Sequence, residues 1–243
     1  MDKQQLLTIG EAARWLGVSV DTLRRWDKKG HLSSVRLSPA GHRYYRREDL
    51  ESFLPKNSMA QALRWVGSQT AQAPDDAVFC PTRDIFQARL SRLEAELKKA
   101  LIPESQLYLL VAIAGEIGNN SFDHNLGSWP DIQGIFFACD VRRRQIVLAD
   151  RGQGILKTLS RVRPHLRTHS EALRVAFEEI VSGRAPEARG NGLKFVKNII
   201  VSNPFQLRFE TGDAGLDLKQ GDATLKIQKT KTSVRGCFSI ISF

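Results

Sequence analysis

Glu116-Ile-Gly-Asn-Asn-Ser-Phe-Asp-His124, Asp150-Arg-Gly-Gln-Gly-Ile155 and Gly190-Asn-Gly-Leu193 are the three stretches whose reading decides the fold of most of this 243-residue chain. In the first, Glu116, Asn120 and Asp123 stand at i, i+4 and i+7, so a helix would carry them on one face. Taken alone, that pattern reads equally as the solvated stripe of an amphipathic helix. In the second, Asp150 closes a strand-like run beginning at Gln145, and Gly152 and Gly154 follow at alternate positions. An ordinary loop after a strand has the same appearance. In the third, Gly190 and Gly192 precede a helix predicted over residues 193–201. Glycines there free the backbone to approach an anion, and the helix N-terminus favours negative charge.

Working outward, Phe86, Leu90, Leu93, Leu97 and Leu101 recur at helical spacing and predict one amphipathic helix. Pro103 and Glu104 open a second, running to about residue 125. Strands are predicted at 134–140 and 145–150, joined by a turn of three arginines, and further helices at 170–181 and 193–201. Strands at 205–210, 224–231 and 236–243 close the pattern, which predicts an α/β two-layer sandwich over residues 80–243.

Residues 1–56 read as a separate, mainly α unit. Thr8 and Glu11 have capping-box spacing for a first helix ending near Leu16, and Gly17 allows a sharp turn. Ser19 caps a second helix ending near Gly30. Ala12, Ala13, Leu16, Val18, Leu23 and Trp26 supply the contacts between them. Residues 32–45, with Pro39 and Gly41 at the tip, read as a two-stranded wing. A short third helix follows at 47–54, with Leu50, Phe53 and Leu54 facing inward. Residues 57–79 read as a linker containing one or two helical turns at 60–66.

The formal net charge is +10 with a pI near 9.8, which favours a polyanionic partner. Three dispersed cysteines, Cys80, Cys139 and Cys237, suit reduced thiols and neither a zinc site nor a disulfide frame. The longest apolar run, around residues 107–114, is too short to span a bilayer, and the polar start lacks a signal-peptide core. A cytoplasmic address is expected.

In their order and strand–helix context, the three stretches resemble the N, G1 and G2 boxes of the GHKL (Bergerat) ATP-binding fold of DNA gyrase, MutL and the sensor kinases. The resemblance covers about residues 80–243 and implies ATP/ADP and Mg²⁺ as cofactors. Asn120 would hold the metal, and Glu116 would activate an attacking water or hydroxyl. Asp150 would accept a hydrogen bond from the adenine amino group, with Asp123, Gly152, Gly154, Ile155, Gly190, Gly192 and Leu193 completing the nucleotide site. Arg184 and Arg189, in the segment corresponding to the lid, are further phosphate contacts to consider. Where that fold usually carries Gly-Thr on its last strand, this sequence has Gly236-Cys237, and cysteine is a weak hydrogen-bond partner. Because the sequence reaches Phe243 just after the closing strand, the lysine that a second domain supplies in gyrase and MutL is not expected. Slow Mg-dependent turnover or simple ATP sensing follows.

Residues 6–54 resemble a MerR/excisionase-type winged helix-turn-helix, on Thr8-Ile-Gly-Glu-Ala-Ala13, Leu16-Gly-Val-Ser19, Thr22-Leu-Arg-Arg-Trp26 and Gly41-His-Arg-Tyr-Tyr-Arg46. The resemblance implies that Ser19, Asp21, Thr22 and Arg25 face the major groove of double-stranded DNA, that Arg24 reaches a phosphate or a base, and that Arg43 and Arg46 clamp backbone phosphates or the adjoining minor groove. Residues 1–56 carry eleven basic and seven acidic side chains, a modest excess, so a homodimer on two half-sites is expected. The combined expectation is an ATP-gated DNA-binding transcription regulator. The alternative is an anti-sigma-like serine/threonine kinase, tethered to DNA and acting on a STAS-like or sigma-like partner.

Overall fold

In the computed structural model, residues 6–16, 18–36, 38, 41–53, 58–179 and 192–243 are described. They divide into one unit of Met1–Asn57 with Asp75–Ala77, and a second of Ser58–Pro74 with Val78–Phe243. Among the described residues no helix is long and apolar enough to cross a membrane.

The first unit runs β1 (Leu6–Thr8), α1 (Ile9–Leu16), α2 (Val20–Lys28), β2 (Val35–Arg36), β3 (Arg43–Arg46) and α3 (Arg47–Phe53). Its helix starts follow the local sequence. The Thr8 N–H donates to Glu11 Oε2 at 2.8 Å and the Glu11 N–H to Thr8 Oγ1 at 3.3 Å, a reciprocal cap. Ser19 Oγ accepts from the Thr22 N–H at 3.0 Å. Gly30, at φ +70°, lets the chain turn after α2. Ala12, Ala13, Leu16, Leu23, Trp26, Leu32, Tyr45 and Leu50 form the core. The wing has three strands instead of two, in the order β1-β3-β2, because Leu7 pairs with Tyr45 across the sheet. Three residues are too few for alternation to register as a strand, so the pairing comes from β3. Gly17, Pro39 and Leu54 lie outside the described residues, as does the Phe53 side chain.

The second unit begins with α4 (Ser58–Gly67) and continues β4 (Phe79–Cys80), α5 (Arg83–Lys99), α6 (Glu104–Asn125), β5 (Ile135–Asp140), β6 (Gln145–Asp150), α7 (Gly154–Leu159), α8 (His169–Glu178), α9 (Gly192–Ser202), β7 (Gln206–Lys219) and β8 (Lys226–Ser242). Its five strands are antiparallel throughout, in the order β4-β5-β6-β8-β7. One sheet face buries Ile146 and Leu148 in the large core with α5, α6, α8 and α9. There the Phe86 and Phe137 rings meet edge-on at 5.4 Å, an arrangement favoured by ring quadrupoles.

The opposite face is covered as well. Val147, Ala149, Phe238 and Ile240 pack on Ala62, Trp65 and Val66 of α4, so helices lie on both sides of the sheet. The turns expected at 60–66 are thus a ten-residue helix of the second unit. The end of the chain also differs from expectation. The strands expected at 224–231 and 236–243 are one long strand, β8, and β7 continues past residue 210 to Lys219. Register shifts at Thr211/Gly212 and Gly212/Ala214 bend the pair without ending it.

Candidate nucleotide and DNA sites

Asp150 is the last residue of β6 and only 2% exposed. Ser121 Oγ–H donates to its Oδ2 at 2.8 Å, the Gly152 N–H to its Oδ1 at 2.8 Å, and the Cys237 N–H also donates to the carboxylate. Burial pushes its pKa up to about 6, and the three hydrogen bonds offset only part of that penalty. A carboxylate offers about four lone-pair sites, so one remains for a donor entering from the cleft.

That cleft holds about 780 Å³ of atom-free space, its open mouth included, between α6, α7, α9 and the sheet. Asn120, Asp150, Gly154, Ile155, Gly192 and Leu193 line it, together with Ile117, Ser121, His124 and Cys237. Glu116 sits at its side. A Cβ on Gly192 would lie 2.6 Å from Glu116 Oε2 and 3.0 Å from Asn120 Nδ2, so the first turn of α9 sits against the ends of both side chains. Glu116, Asn120 and Gly192 are thereby brought together. Asp123 does not line the cleft; it forms an ion pair with Arg83 at the start of α5. Gly190, Arg184 and Arg189 lie outside the described residues.

The glycines of 150–155 have different duties. Gly154 adopts φ +73°, which an L side chain rarely does, and turns the chain into α7. Gly152 makes room for Asn125, whose amide would overlap an added Cβ. Asn125 in turn donates from Nδ2 to Ser121 O at 2.8 Å and accepts from the Gln153 N–H at 2.7 Å, tying α6 to the loop. Thr211 of β7 donates to Gly236 O at 3.0 Å and accepts from the Ile155 N–H at 3.3 Å. Cys237 Sγ reaches that hydroxyl at 3.8 Å. Sequence reasoning missed Ser121, Asn125 and Thr211. The only local signal was the polar run from Asn119 to Asn125, because the partners of these side chains are remote in sequence.

No group of three or more His, Cys, Asp or Glu that would hold a metal unaided occurs among the described residues. The Asn120 amide oxygen beside the Glu116 carboxylate is a hard, oxygen-donor pair. It suits magnesium when ligand phosphates and water complete the shell.

In the first unit, the α2 side chains are already engaged. Ser19 Oγ and Thr22 Oγ1 lie 3.0 Å apart, Arg24 pairs with Asp21 at 2.8 Å, and Arg25 pairs with Asp76. Arg43 Nε donates to Asp27 Oδ2 at 2.7 Å, while Asp27 Oδ1 accepts from the Ser34 N–H at 2.8 Å. Burial alone would raise the Asp27 pKa, but the hydrogen bonds from Arg43 and Ser34 outweigh it and hold the carboxyl below its usual range. Arg43 therefore locks the wing to α2, whereas Arg46 is exposed at the end of β3. Trp26 and Tyr45 are core residues.

Residues 8–45 match the model of the MerR family regulatory protein. The chain is also similar to the Type II methyltransferase M.Eco47II of Escherichia coli, with 46% identity over 46 residues, 19% of this chain. The match spans only 11% of that methyltransferase's length. The first unit thus carries a MerR-family helix-turn-helix at residues 8–45.

Proposed function

We propose that this chain is a DNA-binding regulator in which a GHKL-type nucleotide cleft gates a MerR-type reader of double-stranded DNA. The observation that carries the reading is the buried Asp150 carboxylate, bonded to Ser121 and the Gly152 N–H, lining the same cleft as Asn120 and Gly192. A ligand with a neutral hydrogen-bonding ring at one end and an anionic, metal-binding group at the other satisfies both ends. Adenosine di- or triphosphate has that form.

Within this reading Asp150 accepts from the adenine amino group, and Ile117, Ile155 and Leu193 exclude water from the ring. The α9 N-terminus favours the phosphates. Magnesium, held by Asn120 and phosphate oxygens, would neutralise phosphate charge. Glu116 is the base that takes a proton from an attacking water. A serine or threonine hydroxyl on a partner protein would be activated in the same way, which is the kinase reading. Transfer of labelled γ-phosphate to a partner separates the two.

The test is DNA affinity at fixed salt, by fluorescence anisotropy on a duplex from upstream of the chain's own gene. The chain is compared free, with Mg·ADP and with a non-hydrolysable Mg·ATP analogue, and Asp150→Asn is the control. A ligand shifts only an equilibrium whose states it binds differently. Equal DNA affinity in all three states would remove the gating function.

A further inference from the structure

Arg151 has no exposed surface, and its guanidinium is nonetheless fully engaged. Its Nη1 donates to Ser68 O at 2.9 Å and to Trp65 O, both at the end of α4. Its Nη2 donates to Asp131 Oδ2 at 2.7 Å, and Nε lies 3.1 Å from the same oxygen. Arg235 Nη1 reaches Asp131 Oδ2 at 3.0 Å. Arg151 directly follows Asp150, and Arg235 directly precedes Gly236, whose backbone lies against Asp150. Asp150, which lines the cleft, and Gly236, which lies against it, thus each have a neighbouring arginine on the Asp131 carboxylate. Successive strand residues point to opposite faces, so this is a short covalent route from the cleft to α4.

The segment held by this latch has an unusual place in the chain. Ser58–Pro74 belongs to the cleft unit, but the residues on both of its sides, Met1–Asn57 and Asp75–Ala77, belong to the reader. Trp65 Nε1 also donates to Gln72 O at 3.0 Å, folding the end of the segment back on α4. Beyond Pro74 comes Asp76, which forms the ion pair with Arg25 of α2, and Ala77, which packs on the reader core. A carboxylate of the connecting chain thus pairs with a half-exposed cation on the helix expected to enter the major groove.

We infer that Arg151 couples the cleft to the reader through the Ser58–Pro74 segment, and that Asp76 is the masking group this coupling acts on. The inference rests on the nucleotide reading of the cleft. Ligand contact at Asp150 fixes the 150–152 backbone, changes how firmly Arg151 grips the end of α4, and so changes how Asp76 holds the charge of Arg25. Arg151 is a positioning residue, and its loss leaves the groups that line the cleft in place.

The test uses the full chain and two readouts: Mg·ATP-analogue affinity by calorimetry without DNA, and DNA affinity with and without the analogue. Asp76→Asn should raise nucleotide-free DNA affinity. It should also steepen the slope of log affinity against log salt by about 0.9, the value for one added phosphate contact. Arg151→Lys should keep analogue affinity within about twofold while the DNA response falls from ~fivefold or more, the lower end of allosteric couplings, to none. Arg235→Gln, at a half-exposed position, should weaken the response in the same direction should Arg151→Lys fail to fold. If the wild-type chain binds no analogue, the cleft reading falls and the coupling with it. If wild type responds and both latch variants respond equally, only the coupling is overturned. Unchanged or lowered DNA affinity in Asp76→Asn overturns the mask.

Discussion

Replacing Asp150 by Asn should make the chain more stable and less able to bind nucleotide. The folded protein holds this carboxyl near pKa 6 against an ordinary value of 3.8. At 1.36 kcal/mol per pH unit, the difference is roughly 3 kcal/mol of penalty for keeping the group ionised. The sign follows from proton binding. Between pH 3.8 and about 6 the native state holds more of this proton than the unfolded chain does, so this group's contribution falls as pH rises through that window and is flat above it. Asparagine has no such titration. Its Oδ1 can keep the Gly152 N–H, and the Ser121 hydroxyl can rotate to accept from the new amide. Urea denaturation of both proteins from pH 4.5 to 8 measures the difference. The variant's advantage should be small at the acid end and grow to as much as about 3 kcal/mol by pH 7.5. Losing a hydrogen bond to a charged acceptor should meanwhile weaken ATP-analogue binding by about 1.5–3 kcal/mol. Equal pH slopes in the two proteins, or a less stable variant at pH 7.5, would refute the account of Asp150.

Gly192→Ala should leave the melting temperature nearly unchanged, since the nearest atom is the flexible end of Glu116, yet weaken the analogue at least ~tenfold by pushing Glu116 and Asn120 aside; calorimetry decides it. Leu101 ends α5 in a Schellman turn at φ 57°, with the Ile102 N–H on Leu97 O and the Leu101 N–H on Lys98 O, and it is 88% exposed. Leu101→Gly should therefore stabilise by a few tenths to about 1 kcal/mol in thermal melts, and destabilisation would mean that the side chain has a partner. Arg46→Ala should lower DNA affinity for all sequences and reduce the salt slope by about 1. Arg43→Ala should chiefly lower the stability of the reader, because its partner is Asp27; identical phenotypes for the two variants would contradict that division.

How much of this was legible in the sequence depended on the range of the interaction. The caps at Thr8/Glu11 and Ser19 are settled within three residues, and their spacing is visible in the chain. The shared face of Glu116 and Asn120 on α6 is likewise local. Helix α4 is longer than the one or two turns expected because the surface that buries its Ala62, Trp65 and Val66 comes from the remote Val147, Ala149, Phe238 and Ile240. The break expected between residues 231 and 236 reflects the same limit. Gly236, at φ +71°, reads as a turn, but its missing Cβ makes room for Asp150 O while the strand runs on. Ser121 is an unremarkable helical serine until Asp150 arrives beside it from 29 positions away.

Asp150 and Arg151 also explain each other. A buried carboxylate that pairs with a buried guanidinium has its pKa lowered. Here the two side chains diverge where β6 ends: Asp150 meets Ser121 of α6, and Arg151 satisfies its donors on Asp131 and the α4 carbonyls instead. Asp131 shows the outcome of pairing: burial acts to raise its pKa, but the hydrogen bond from Arg151 outweighs it and the carboxyl is held low. Among the described residues Asp150 has only neutral donors, so burial keeps its pKa raised. A carboxylate satisfied by its neighbour would be worth more to the empty fold and would have little to offer a ligand. The same separation that leaves Asp150 available to the cleft places its neighbour's cation on the helix behind the sheet, which is the geometry a coupled site requires.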